Sequence, residues 1–265
     1  MQSIEERFPR PSVMGIVNVT PDSFFDGGVN FDPEAAATSA RRMVEEGAAI
    51  VDVGGESTRP GSEGVSVEEE LRRVAPVLER LGGEVPLSID TSKAEVARRA
   101  VQLGAELVND VTALRGDHDM AEVVAGSGAY LCLMHMLGEP RTMQHDPRYD
   151  DVVSDVVAFL EERLSVATAA GIAEERICVD PGIGFGKTVE HNVELLNRLG
   201  EVASLGRPVV VGASRKRFLG RMLGEPAATE GPMPASIAAA VIAVAAGATM
   251  VRVHDVRETV EALQS

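Results

Sequence analysis

The sequence predicts an α/β fold, a TIM-type (β/α)8 barrel in a single domain over residues 1–265, and three observations carry that prediction. Eight times a short apolar run ends in polar or glycine-rich residues and hands over to a helical pattern, the alternation that builds a parallel sheet wrapped by helices. Residues 50–53 and 208–211 read as apolar, β-branched runs, as strands buried on both faces do. The chain has 265 residues, and an eight-unit barrel takes roughly 250, so one domain uses the whole length. A closed parallel barrel puts every strand's C-terminal end on one face, where eight separated segments can build a single site.

In order, the first strand spans 13–18, and the first helix 33–46 starts behind Asp32 as N-cap and stops at Gly47. Strand two is 49–53. Helix two, 67–81, is capped by Ser66 and carries Glu68, Glu69 and Glu70 in its first turn, where the helix dipole favours acids. Strand three is 86–90, helix three 93–103, strand four 106–109 and helix four 119–125. Strand five, 130–134, precedes a long polar loop, 135–149, and helix five runs over 149–170 to Gly171. Strand six is 176–179, helix six 189–199, strand seven 208–211, helix seven 235–246 and strand eight 249–253, with a last helix over 256–263. Residues 224–234, rich in Pro, Gly and Ala, read as a loop between units seven and eight.

Composition excludes several classes. No run of about 18 apolar residues appears, and the N-terminus lacks a basic segment followed by an apolar one, so a soluble cytoplasmic protein without membrane contact is expected. A formal net charge of -16 argues against nucleic acid and anionic membranes as partners. Cys132 and Cys178 fall inside predicted strands and read as core residues rather than a disulfide or metal site.

Two motifs invite misreading. Residues 181–188 (PGIGFGKT) follow a strand and precede a helix, but Pro181 stands where a phosphate-cradling loop needs its first glycine, and proline fixes φ and has no N–H. Gly182, Gly184 and Gly186 alternate strictly, which also misses the dinucleotide spacing. Lys187 is then expected to be solvated. Residues 212–216 (GASRK) are not a nucleophile elbow, because Lys216 replaces the closing glycine; Ser214 reads as a turn or capping residue.

His118, His145 and His191 lie in polar sequence and read as solvated, and His135, ending strand five, reads as structural. His254 follows Arg252 by two residues, so both point to one side of strand eight, a cationic pair suited to an anion. The mouth thus offers Arg59, Lys216, Arg252 and His254 as cationic groups beside Asp90, Asn109 and Asp180. Cations suit phosphates, while carboxylates beside an amide suit a heterocycle with adjacent donors and acceptors. Capping of the following helix is the competing role for Asp90. No clustered His/Cys pattern supports a tightly held transition metal.

Residues 14–28 (MGIVNVTPDSFFDGG) and 47–61 (GAAIVDVGGESTRPG) resemble the two signatures of the dihydropteroate synthase family. The resemblance continues through Asp90-Thr91, Asn109-Asp110, residues 134–144, 180–187 and 214–216, and the RVHD of 252–255. It covers nearly the whole chain. It implies a TIM barrel joining 6-hydroxymethyl-7,8-dihydropterin diphosphate to 4-aminobenzoate with release of diphosphate, in folate synthesis, with Mg²⁺ as cofactor and a homodimer paired through helices near the C-terminal end. It puts the pterin pocket on Asp90, Asn109, Asp180 and Lys216, lined by Met134, with the Arg252 guanidinium stacked on the ring. It puts the diphosphate on Asn18, Arg252 and His254, with Asn18 near the Mg²⁺. The aminobenzoate site falls on Thr58, Arg59, Pro60, Phe185, Lys216 and Arg217. Neither a covalent nucleophile nor a strong general base is then required.

Some members carry serine where this chain has Arg217, so a backbone N–H would replace a hydroxyl contact to the aminobenzoate carboxylate. Residues 227–234 depart from the family pattern, and the last helix is short. Two other readings are a pterin-dependent methyltransferase of the same barrel and a catalytically silent pterin-binding protein. The methyltransferase does not require Asn18, Arg252 and His254 together with the STRP of 57–60, and against the silent binder nothing in the sequence looks lost. Residues 19–31 and 55–66 are too long for tight turns and are expected to order over bound diphosphate.

Overall fold

Side chains alternate across a strand, and that alternation divides this molecule into an apolar shell and a graded interior. The computed structural model describes residues 2–20, 25–26, 30–59, 61–225 and 227–265, with the backbone alone for 25, 26, 30 and 31. Eight parallel strands form the barrel: β1 Ser12–Asn18, β2 Ile50–Gly54, β3 Leu87–Asp90, β4 Ala105–Asp110, β5 Tyr130–Met134, β6 Ile177–Asp180, β7 Val210–Val211 and β8 Met250–Val253. Each pairs with its neighbour in sequence, β8 returns to β1 through Ser12 and Met250, and β6 meets β7 through the Val179–Val209 bridge. A 2.9 Å bond from Val179 N–H to the Pro208 carbonyl supports that last junction.

Outward-facing residues such as Val51, Val53, Leu87, Ile89, Val251 and Val253 pack under the surrounding helices in the main core. Inward residues form a separate cluster at the barrel floor, including Met14, Ile50, Leu107, Cys178, Val210 and Met250. Cys132 and Cys178 are buried there as free thiols, as expected. The floor is covered by a four-residue helix too short to show a sequence period, Ile4–Arg7, which starts with a Ser3/Glu6 capping box and places Ile4 and Phe8 in the floor cluster. Arg7 holds it down with two bonds to Glu106, at 2.7 and 2.8 Å.

The helices follow their caps. Pro33–Glu45 begins where Asp32 accepts the N–H groups of Glu34 and Ala35, and Val67–Leu81 begins at Ser66 as expected. Helix five starts later than expected, at Val152, because Asp151 caps it through Ser154 N–H. Helix six breaks into Val189–Asn197 and Leu199–Ala203 where Arg198 leaves helical geometry. A short helix, Arg217–Met222, follows β7, and helix seven starts at Met233 with Pro234 in its first turn, where the missing N–H costs nothing. Two short antiparallel strands, Phe25–Asp26 and Asn30–Phe31, lie in the segment after β1; the rest of residues 21–29 is outside the described residues, so the expected ordering of 19–31 is not addressed by them.

Candidate active site

Above the apolar floor the inward positions become polar. Asp52, two residues past the floor residue Ile50, is fully buried and acts as a hub. Its Oδ1 accepts from Ser88 Oγ at 2.5 Å, and its Oδ2 accepts from Asn109 Nδ2 at 2.9 Å and from Arg252 Nε at 2.6 Å. Arg252 Nη2 donates to Asp90 Oδ2 at 2.8 Å. One guanidinium therefore bridges two carboxylates, leaving Nη1 and the ring-like face outside these two bonds. Asp90 is engaged here rather than in capping; the first N–H of the helix after β3 goes to Asp117 instead. Asp52 and Ser88 are absent from the sequence assignment, although the spacing Ile50, Asp52, Gly54 places an acid on the inner face of a barrel strand.

Asp180 closes the glycine-rich turn by accepting Gly182 N–H at 2.7 Å through Oδ1. Lys216 lies opposite, its Nζ donating to the Ile183 carbonyl and standing 4.2 Å from the centre of the Phe185 ring. Phe185 packs with Val111, Met134, Met136 and Met143, an apolar wall beside the charged groups. His254 and Ser214 form a closed pair: the His254 backbone N–H donates to Ser214 Oγ at 3.1 Å, and the same Oγ lies 3.0 Å from Nδ1. Ser214 sits in a turn closed by the Lys216 N–H to Ala213 carbonyl bond at 3.2 Å, as expected, and is also the partner of His254. With its hydroxyl proton directed at Nδ1, the imidazole proton would sit on Nε2.

Burial sets the charge states. It pushes Asp90 up to about 7, against the lowering effect of Arg252 and with help from the negative charge of Asp52. It raises Asp180 as well, opposed by Lys216. Burial lowers Lys216 to about 7 although Asp180 favours its charged form. Burial also opposes the charge on Arg252, but Asp52 and Asp90 more than offset it and raise that group. His254 falls to about 3 through burial and the nearby Arg252, so it is neutral near pH 7. The expected cationic pair at 252 and 254 is therefore one bound cation and one neutral N–H donor.

Lys187 departs furthest from expectation. It is 3% exposed, not solvated, with Nζ 2.8 Å from His135 Nδ1 and donating at 3.0 Å to the Phe185 carbonyl. Burial, then the charge of Lys216, lowers it well below the usual lysine range, and burial takes His135 down to about 2. Gly182 has φ +68°, and a Cβ there would lie 1.8 Å from the His135 carbonyl oxygen, so the turn passes directly against the end of β5. Three of its N–H groups are already used: Gly182 by Asp180, Gly184 by Asn192 Oδ1 at 2.6 Å and Phe185 by the Gly182 carbonyl at 3.0 Å. This is a packed turn, not a phosphate cradle. His118 and His145 are exposed as expected, whereas His191 is half-buried and completes the Thr188 cap of its helix.

Asn18 ends β1 half-buried, between β2 and β8. Thr58 is half-buried, while Arg59 is exposed with Nη2 3.6 Å from Glu230; Pro60 lies outside the described residues. Arg217 opens its short helix directly after Lys216. Among the described residues no hydrogen bond joins Asn18, Thr58 or Arg217 to the network around Asp52. Asp117, His118 and Asp119 form the one three-residue group of metal-ligating side chains among the described residues, and it is largely exposed, at the start of helix four.

Residues 14–254 match the family described as pterin binding enzyme. The dihydropteroate synthase of Escherichia coli K12 is 48% identical over 259 residues, covering 96% of this chain and 90% of the relative. A solved structure of Xanthomonas albilineans dihydropteroate synthase with 4-aminobenzoic acid superposes with TM-score 0.88 at 50% identity, covering 97% of this chain and 92% of that one. Another from the same organism, in complex with 7,8-dihydropteroate, gives TM-score 0.85 at 48% identity with the same coverage. With its buried carboxylates, amide and cations gathered at the C-terminal mouth of the barrel, the chain belongs to the dihydropteroate synthase family of pterin binding enzymes.

Proposed function

We propose that this mouth carries out the family's reaction on 6-hydroxymethyl-7,8-dihydropterin diphosphate and 4-aminobenzoate, giving 7,8-dihydropteroate and diphosphate. The carrying observation is the Arg252 bridge between Asp52 and Asp90, set beside Asn109, Asp180 and Lys216 above an apolar floor. A pterin presents a flat edge of N–H donors and ring acceptors. The second oxygen of Asp180 and the amide oxygen of Asn109 suit its donors, and Lys216 suits an acceptor. Met134 and Phe185 supply apolar contact. Arg252, held by two carboxylates, would lie against the ring and offer Nη1 to the diphosphate. His254 adds a neutral Nε2–H donor.

In the reaction the aromatic amine attacks the exocyclic methylene, its C–O bond to diphosphate breaks, and the new C–N bond forms as the amine loses a proton. The protein positions both partners and stabilises charge on the leaving group. Thr58, Arg59, Pro60, Lys216 and Arg217 would hold the aminobenzoate, with Phe185 against its ring. Arg59 would leave Glu230 to do so. Asn18 offers a single neutral oxygen, too little for a metal site in the empty protein. It fits Mg²⁺ carried in by diphosphate, because this ion keeps several waters and commonly takes substrate phosphate oxygens as ligands. When bound, Mg²⁺ neutralises charge on the departing diphosphate.

A homodimer fits the exposed Met222, Leu223, Met233, Val241 and Ile242, an apolar surface on and before helix seven. No helix among the described residues is long and apolar enough to cross a membrane. The deciding experiment follows diphosphate release with and without aminobenzoate. Release matched one-to-one by dihydropteroate is expected, and no release under any condition would refute the reading.

A further inference from the structure

We propose that Lys93, clamped between Glu56 and Glu70, is a positioning residue for the aminobenzoate subsite, tying the base of the segment 55–66 to the strand that carries Asp90. The proposal rests on the assignment of Thr58 and Arg59 to aminobenzoate. Lys93 Nζ is bonded to Glu56 Oε2 and, at 2.6 Å, to Glu70 Oε2. Glu70 lies on the helix after the segment, is fully buried, and keeps Oε1 without a hydrogen-bond partner among the described residues. Glu56 Oε2 also accepts the N–H of Val65 at 3.3 Å, so one carboxylate closes the neck of the segment and holds the lysine. Arg73 reinforces the same neck by donating to the Gly55 carbonyl at 2.8 Å. A Cβ at Gly55 would meet Val74 at 2.8 Å and Glu70 at 3.0 Å, so the backbone is pressed against this cluster.

Spacing gives the cluster its consequence. Lys93 is three residues past Asp90 and Glu56 is two residues before Thr58, so the ammonium is a side-chain link between the two segments. Two carboxylates facing one ammonium form a costly structural plug, and apolar residues would fill the space at lower cost. Burial alone would lower Lys93, but its bonds to Glu56 and Glu70 outweigh that and raise it, so the link stays charged across the neutral range. Misplacing a substrate by about 1 Å can cost on the order of a hundredfold in rate, which makes a charged link at the neck a strong lever on the second substrate.

The test uses the full chain with Lys93→Met and Lys93→Arg. In Lys93→Met the KM for aminobenzoate should rise about tenfold while that for pterin diphosphate stays within about twofold, and Lys93→Arg should restore most of the difference. Independently of activity, hydrogen exchange at the Val65 amide should accelerate in Lys93→Met. Equal changes in both KM values, or unchanged exchange at Val65, would overturn the proposal. If Lys93→Met does not fold, Glu56→Gln is measured in the same way, with a smaller rise in aminobenzoate KM expected and equal changes in both KM values again overturning it. Thr58→Val separates the two layers: no effect on aminobenzoate KM there refutes the subsite assignment, while the exchange measurement still decides the tether.

Discussion

Replacing Asp52 with asparagine tests the hub at constant shape. The amide oxygen can take the Oδ2 position, where Asn109 and Arg252 donate, and the new NH2 can face Ser88 Oγ, whose hydroxyl turns to accept. Every hydrogen bond is then kept and only the charge is removed. A hydrogen bond to a charged group contributes about 1.5–3 kcal/mol and a neutral one about 0.5–1.5, so the Ser88 and Asn109 contacts, neutral on both sides in the variant, each lose about 1–1.5 kcal/mol, while the Arg252 contact keeps its cation but loses its countercharge. The guanidinium, with its side chain 19% exposed, then depends on Asp90 alone. Outright loss of a buried partner costs about 3–5 kcal/mol, so the total here should be about 2–3 kcal/mol. At about 2–4 °C per kcal/mol for a chain of this size, Tm should fall by roughly 5–10 °C. Arg252 should also draw Asp90 toward itself, and pterin affinity, measured by calorimetry, should weaken by about tenfold, which corresponds to about 1.4 kcal/mol. Because the charge on Asp52 helps raise Asp90, the Asp90 carboxyl should titrate below its present value of about 7 in the variant. A Tm within about 1 °C of wild type, with unchanged pterin affinity, would refute the hub.

Lys187→Met should lower turnover by about tenfold or more and destabilise the fold, because it leaves His135 Nδ1 and the Phe185 carbonyl without a donor at about 1–3 kcal/mol for an unsatisfied buried group; a change of less than about threefold with unaltered Tm would return Lys187 to the solvent. The folded value of Lys216, about 7, lies below its ordinary 10.5, so the folded state binds fewer protons than the unfolded one between those limits. Wild-type stability should therefore rise relative to Lys216→Met as pH goes from about 7 to 10.5, and a flat difference in denaturant titrations would contradict the assignment. Product formation should stop when Mg²⁺ is chelated and return on its addition; full activity in excess chelator would remove Mg²⁺ from the mechanism.

The barrel was legible because its signals are local. Ser66 and Asp32 announce their helices within a few residues, and the apolar strands need no partner to be recognised. Arg217–Met222 is too short to display a helical period, and Ile4–Arg7 is recognisable only by what Ile4 and Phe8 plug. Asp90, Asn109, Asp180, Lys216 and Arg252 could be named because each ends a strand or follows one. Asp52 lies one layer lower, where its neighbours in sequence are valines and its partners are 36, 57 and 200 residues away. Lys187 looks solvated beside glycines, and only the return of residues 135–149 over it, with Tyr149 donating to the Gly186 carbonyl, reveals its burial. His254 was legible as a residue of the mouth but not as a neutral one, because its charge depends on Arg252 and on water that folding removes.

Parity along the strands separates two kinds of heritable change. In β3, Leu87 and Ile89 face the helices while Ser88 and Asp90 face the cavity, so adjacent codons answer to different selection. The outer set can drift among apolar residues of similar volume with modest loss of stability, leaving ligand contacts untouched. The inner set can be retuned toward another ligand without disturbing helix packing. Single-residue insertions or deletions inside a strand are barred to both, since a shift of one position would turn Asp90 and Ser88 into the helices and bring leucine and isoleucine to the cavity. Length variation among descendants of this chain is thereby confined to the connections between elements, while chemistry evolves by substitution at every second strand position.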